Sequence, residues 1–218
     1  MQEMPHNDSE EKAGRRHFLK SAIGTTVLLA GTGTVLSTFS ALRKGRYPVA
    51  GHRPGLGILR PPGALVEAEF MAACIRCTRC AEACDMNCIQ YFGPEAGSLQ
   101  GTPYIDPVDK PCDMCLACGE ACPTGALEVL TKKEDIHMGT AVVDERLCVS
   151  INGTGICGAC FTACPLRGKA ITQTLHNAPE VHSEYCTGCG LCESFCIVDD
   201  REGLRAIQVH TSLKEVLS

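Results

Sequence analysis

Three stretches of this chain place four cysteines at the same spacing, with gaps of two residues, two residues and three. They are Cys74, Cys77, Cys80 and Cys84; Cys112, Cys115, Cys118 and Cys122; and Cys186, Cys189, Cys192 and Cys196. A fourth stretch keeps the end of the pattern at Cys157, Cys160 and Cys164, with Cys148 eight residues before Cys157. The first cysteines fall at 74, 112, 148 and 186, in steps of 38, 36 and 38. Cys148 therefore keeps the period and counts as the first member of its run, and residues 149–156 form a loop grown inside it. Seventeen cysteines in 218 residues, against six Phe, four Tyr and no Trp, leave large apolar anchors scarce. An odd count also excludes a purely disulfide-paired monomer. Sulfur has to organise this core.

The spacing names the chemistry. Cys-x2-Cys-x2-Cys-x3-Cys-Pro, as at Cys112–Pro123, is the bacterial ferredoxin run for a cubane [4Fe–4S] cluster. Three cysteines at two-residue intervals let a tight loop wrap one corner of the cube, and loop amides can point at the sulfurs and offset negative charge. The fourth cysteine sits on the short helix leaving the loop and completes a different cluster. Sixteen ligands then make four [4Fe–4S] clusters. If neighbouring runs pair, the sets are Cys74, Cys77, Cys80 and Cys122; Cys112, Cys115, Cys118 and Cys84; Cys148, Cys157, Cys160 and Cys196; and Cys186, Cys189, Cys192 and Cys164. A rival wiring pairs outer runs with outer and inner with inner, and uses the same sixteen residues. Zinc is the alternative metal, but its motifs offer two close pairs with a longer spacer rather than four runs of four.

Flanking segments repeat as well. Pro103–Asp106, Thr140–Asp144 and Pro179–His182 precede runs; Gly125–Val129, Lys169–Thr172 and Arg205–Val209 follow them. Their β-branched content predicts short strands, and each Cys-x3-Cys pair predicts one turn of helix. The expected fold is irregular α+β, two tandem bacterial-ferredoxin-like dicluster modules over residues 64–135 and 136–218.

Residues 1–42 read as an address. Arg15-Arg16-His17-Phe18-Leu19-Lys20 precedes residues 21–42, which carry no charge. Paired arginines followed by a mildly apolar run predict a twin-arginine export signal, with the translocase as a partner and the periplasm as destination. No Ala-x-Ala ends the run, so the segment is either cleaved or kept as an N-terminal anchor. Export of folded protein suits a cofactor inserted before the chain meets an oxidising compartment. Residues 43–63, rich in Gly and Pro, read as a tether or docking strap.

Other signals are weaker. The formal charge of −5 argues against nucleic acid as a partner, and four ligated clusters would bring it to about −13. Gly153-x-Gly155-x-x-Gly158 fits a dinucleotide fingerprint only formally, because Cys157 lies inside it. The seven histidines show no paired ligand spacing, and Glu82, Glu120 and Glu193 suggest a solvated helix face. No nucleophile-and-base constellation is present, so no catalytic residue is expected. Asp85 replaces the usual proline after a fourth ligand, and Cys88 is left over; a small buried hydrophobe is the ordinary role for such a cysteine, with a substitute ligand or a reactive thiol as the alternative.

The chain resembles the MauM/NapG family of periplasmic ferredoxin-type proteins, the iron–sulfur components of quinol dehydrogenases. The likeness rests on the twin-arginine start, Leu59-Arg60-Pro61-Pro62-Gly63-Ala64, Ala73-Cys74-Ile75-Arg76-Cys77, Gly101-Thr102-Pro103-Tyr104 and the stretched run ending Cys164-Pro165-Leu166. The resemblance implies an electron-transfer component without its own substrate site. A membrane-bound quinol-oxidising iron–sulfur protein would supply electrons, and a c-type cytochrome or periplasmic reductase would take them. The alternative is the iron–sulfur subunit of a molybdenum oxidoreductase.

Overall fold

A computed structural model describes residues 56–200 and 203–211. The twin-arginine motif, the uncharged run and most of the Gly/Pro-rich stretch lie outside the described residues. Among the described residues no helix is long and apolar enough to cross a membrane.

The elements are short, as the cysteine loops require. In chain order they are helix α1 (Glu67–Ala73), α2 (Arg79–Glu82), strand β1 (Ile89–Tyr91), β2 (Pro103–Ile105), α3 (Ala117–Glu120), β3 (Thr140–Val143), α4 (Ala159–Ala163), β4 (Ile171–Gln173), β5 (Pro179–Val181), α5 (Leu191–Ser194) and β6 (Ile207–His210). The helices α2 to α5 each start one residue before a Cys-x3-Cys segment and run into it, where the sequence places a helical turn. Strands pair as three antiparallel ribbons. β1 pairs with β2 (Ile89 opposite Ile105), β4 with β5 (Ile171 opposite Val181), and β3 with β6 (Thr140 opposite His210, Val143 opposite Ile207).

In the second half, the strand after the third run pairs with the strand before the fourth, and the first strand closes on the last. The first half has the same plan with one ribbon reduced. The strand expected over Gly125–Val129 does not form; Leu127 makes a single bridge with Ala64, supported by bonds from the Leu65 amide to Ala126 O and from the Glu128 amide to Gly63 O. The partner segment begins Pro61-Pro62, which has no amide to extend a ladder. Gly63 (φ +77°) is also needed there, because a Cβ would meet Glu128 O at 2.3 Å.

Packing starts earlier than a free tether would allow. Leu59 and Arg60 are buried. The Ile105 amide donates to Leu59 O and the Thr211 amide to Leu56 O. Arg60 pairs with Glu67, donates to Thr102 Oγ1 (2.9 Å) and Pro103 O (2.6 Å), and stacks over Phe70 at 4.6 Å. The described part of the strap is thus docked. α1, which the sequence reading missed, supplies Glu67 and the buried Phe70.

One helix-face reading is corrected. Glu82 and Glu120 are exposed, but Glu193 is only 2% exposed and its Oε2 accepts the Val209 amide at 2.8 Å. α5 packs against β6, so this glutamate meets a strand amide instead of solvent.

Candidate metal centres

The loops between the candidate ligands share a backbone device. Arg76 (φ 57°) and Thr78 (φ 69°) flank Cys77, Met114 (φ 62°) and Leu116 (φ 70°) flank Cys115, and Gly188 (φ 71°) and Gly190 (φ 81°) flank Cys189. Left-handed residues on both sides of the middle cysteine turn successive amides inward, the concave arrangement that stabilises anions. The last run uses glycine for this. The first two hold ordinary residues in a conformation that costs about 1–3 kcal/mol each, a strain that persists where surrounding structure imposes it. Replacing exposed Thr78 with glycine (Thr78→Gly) is expected to stabilise the protein by about 1 kcal/mol. Anaerobic guanidinium denaturation checks it; an unchanged or lower midpoint contradicts it.

The cysteines gather in four groups, and none of the seventeen is in a disulfide. Cys74, Cys77, Cys80 and Cys122 line one cavity of about 360 Å3, together with Phe70, Ala126 and Leu127. Cys148, Cys157, Cys160 and Cys196 line another of about 370 Å3 with Val143 and Ala206. Cys164, Cys186, Cys189 and Cys192 line a third of about 350 Å3 with Leu166, Ala170 and Val209. These volumes are partly open to solvent. Of the remaining cysteines, Cys84, Cys88, Cys112 and Cys118 lie in one buried cluster, with Cys84 Sγ 3.5 Å from Cys88 Sγ, and Cys115 stands exposed in the loop between Cys112 and Cys118. Three loop cysteines and the fourth cysteine of the neighbouring run thus meet around each of the three cavities. Cys148 stands with the others of its run despite the insertion, because buried Ser150 Oγ accepts the Cys157 amide at 2.8 Å and Asn177 Nδ2 donates to Cys157 O at 2.9 Å. The glycines of the formal dinucleotide fingerprint lie in this same loop.

Backbone amides point at sulfur as the loop geometry requires. Leu127 N donates to Cys122 Sγ and Ala141 N to Cys186 Sγ, both at 3.4 Å, and Met114 N donates to Cys112 Sγ at 3.3 Å. Two effects oppose each other on the thiols. Burial, then neighbouring sulfur, pushes Cys118 up to about 12, while burial against the weaker pull of the Phe161 amide pushes Cys160 up to about 11. At Cys122 burial also pushes upward, but the Leu127, Thr124 and Gly125 amides outweigh it and the thiol sits below its ordinary value. The hydrogen bond to Cys112, then burial, holds Cys88 far above the usual thiol range, and the same bond pulls Cys112 down.

Which group fits these donors? A single zinc ion, with Zn–S near 2.3 Å, would draw four sulfurs to within about 4 Å of one another. Here, among the described residues, no three His, Cys, Asp or Glu side chains converge on one ion position. Sulfurs standing around a cavity, with amides aimed at them, suit a polynuclear cube bound at its corners.

The comparisons agree with that donor set. Two family models, each described as a 4Fe-4S dicluster domain, match the chain, one over residues 73–126 and 111–168 and the other over 141–197. The ferredoxin-type protein NapG of Escherichia coli is 36% identical over 200 residues, 85% of this chain and 82% of that one. NapG of Haemophilus influenzae is 39% identical over 201 residues (85% and 69%), and the methylamine utilization ferredoxin-type protein MauM of Methylobacillus flagellatus is 37% identical over 201 (87% and 82%). The chain belongs to the NapG and MauM family of ferredoxin-type proteins. It is an electron-transfer protein with tandem 4Fe-4S dicluster domains. The matched windows of this NapG/MauM-type chain overlap, since one period runs throughout and any two successive runs satisfy the pattern. The three cavities instead combine cysteines of the first run with the second and of the third with the fourth.

Several residues of the centres escaped the sequence reading. Tyr91 Oη lies 3.7 Å from Cys80 Sγ and donates to Thr78 O at 2.9 Å, tying β1 to the first loop. The halves meet through ligand loops: the Cys112 amide donates to Cys189 O at 3.1 Å, and Thr187 Oγ1 donates to Met114 Sδ at 3.4 Å. Gly190 packs on Pro107 so closely that a Cβ would meet it at 2.4 Å. None of these carries a local signal. Asp85 is exposed, which blunts its charge on the adjacent Cys84.

Proposed function

We propose that this chain binds four [4Fe–4S] clusters through the sixteen cysteines of its runs and relays electrons singly along them. The first would be held by Cys74, Cys77, Cys80 and Cys122, the second by Cys112, Cys115, Cys118 and Cys84. The third would take Cys148, Cys157, Cys160 and Cys196, and the fourth Cys186, Cys189, Cys192 and Cys164. The observation that carries this reading is the gathering of three such sets around separate cavities.

An order of transfer accompanies the ligand sets. Electron transfer falls steeply with distance, so neighbouring centres exchange first. The first and second sets adjoin where α2 packs on α3, the second and fourth where the Cys112 amide donates to Cys189 O at 3.1 Å, and the third and fourth where α4 packs on α5. The route therefore runs first, second, fourth, third. At its far end Ile156, Phe195 and Ile197, neighbours of Cys157 and Cys196, are exposed apolar side chains, the surface character of a docking edge.

The relatives named NapG and MauM support a place in a quinol-oxidising system. On this reading a membrane-bound quinol-oxidising iron–sulfur protein is the donor, a c-type cytochrome or periplasmic reductase is the acceptor, and the chain has no substrate site of its own. The twin-arginine motif supports the periplasm. Anaerobic purification with metal and sulfide counting, then low-temperature EPR during stepwise reduction, tests the reading. About sixteen iron and sixteen sulfide per chain, with interacting reduced centres, are expected. Zinc, or iron without sulfide, overturns it, and co-purification with a large molybdenum-containing chain would replace the quinol-linked role.

A further inference from the structure

Cys88 occupies a position whose counterparts in the other repeats line the cysteine-walled cavities. The segments Asn87-Cys88-Ile89, Gly125-Ala126-Leu127, Lys169-Ala170-Ile171 and Arg205-Ala206-Ile207 correspond, each following the fourth cysteine of its run. The three alanines are 2–3% exposed. Each lines the cavity that receives the preceding fourth cysteine: Ala126 with Cys122, Ala170 with Cys164, Ala206 with Cys196. A packing role at this wall position is met by a methyl group in three of the four repeats. The first repeat alone puts sulfur there.

That sulfur has the neighbours of a ligand. Cys88 is 2% exposed, its Sγ is 3.5 Å from Cys84 Sγ, and it shares one buried cluster with Cys84, Cys112 and Cys118. The two candidate thiols are set side by side by a tight turn in which the Asn87 amide donates to Cys84 O at 2.9 Å and Asn87 itself is left-handed (φ 50°). Both ends are anchored. The Cys84 amide is bonded to Ala81 O, and Cys88 leads directly into β1.

We propose that the second centre has a spare ligand: with Cys112, Cys115 and Cys118 in place, its remaining iron can be held by either Cys84 or Cys88. In the exchange, one Fe–S bond to Cys84 breaks and one to Cys88 forms, while the proton leaving Cys88 passes to Cys84. No oxidation state changes. The proposal rests on the four-cluster reading and goes beyond it, because the other three centres have no fifth cysteine at the corresponding position.

The test uses the full chain, purified without oxygen, with iron counting and EPR of the oxidised protein. Cys122→Ala, the control at the equivalent position of the first centre, is expected to convert one cluster to a [3Fe–4S] form, about fifteen irons with its characteristic oxidised signal. Cys84→Ala is expected to keep about sixteen irons and no such signal, and Cys84→Ala with Cys88→Ala to behave like the control. A parent that loads sixteen irons while Cys84→Ala matches Cys122→Ala overturns this inference alone; a parent that never reaches sixteen overturns the four-cluster reading with it. If Cys84→Ala does not fold, Cys88→Ala decides, since it keeps all sixteen run cysteines and takes the alanine its sibling repeats carry. Under limited air its [3Fe–4S] signal is expected to grow several-fold faster than the parent's, and an equal rate overturns the proposal.

Discussion

Stripping iron from the purified protein with a chelator and reductant is expected to unfold it, with loss of strand and helix signal in circular dichroism and rapid proteolysis across residues 56–211. The reason lies in what fills the interior. Of the 26 buried apolar residues described, eight are cysteines and four are alanines, while Phe70, Phe92 and Tyr104 are the only buried aromatics. The ribbons are three or four residue pairs long, too short to be stable by themselves. Ligation of a structural metal contributes on the order of 10 kcal/mol, about the whole stability of an ordinary domain. Removing it also leaves raised, buried thiols such as Cys118 and Cys160 around empty space. Apoprotein that keeps a cooperative melt and resists protease would show that hydrocarbon alone sustains the fold.

Arg60→Met is expected to lower stability by about 3 kcal/mol, the largest effect of any single substitution away from the cysteines. The arginine is 6% exposed and joins the strap to α1 through Glu67, to Thr102, and to Pro103 at the edge of β2. Methionine keeps much of the packing over Phe70 but leaves Glu67 without its counter-charge and Pro103 O without a donor. Because the Glu67 side chain is 24% exposed, water relieves part of that cost. Arg60→Met with Glu67→Met should therefore recover about half of the loss. Anaerobic denaturation of the loaded protein measures both. A change below about 1 kcal/mol for the single variant would mean that the strap is held by Leu59 and the prolines instead.

What could be read in advance follows a physical division. The cysteine spacing is a local property of loops that must wrap a cube, so the runs, the helical turn in each, and the membership of Cys148 were legible from period alone. The strands before the second, third and fourth runs were legible from their β-branched content. Features that depend on the second partner were not. Gly125–Val129 looks like its siblings, and only the prolines opposite it prevent the ladder. Glu193 has the sequence setting of Glu82 and Glu120, yet β6 covers it. Arg60 lies in a stretch whose Gly and Pro content reads as tether, and its burial depends on Glu67, Thr102 and Pro103 arriving from elsewhere. Cys88 looks surplus until its counterparts are seen at the cavity walls. The division of cysteines among the groups was left open between two wirings, and the three cavities combine first with second and third with fourth.

The bond from the Cys112 amide to Cys189 O has a mechanical side as well. Donor and acceptor both belong to proposed ligand residues, so the joint between the halves and the central hop of the proposed route are one place. On the proposed route, clusters strung in series would offer no bypass. Any motion that pries the two halves apart there lengthens the gap an electron must cross, and rigidity at that joint is a condition of conductance rather than of shape alone.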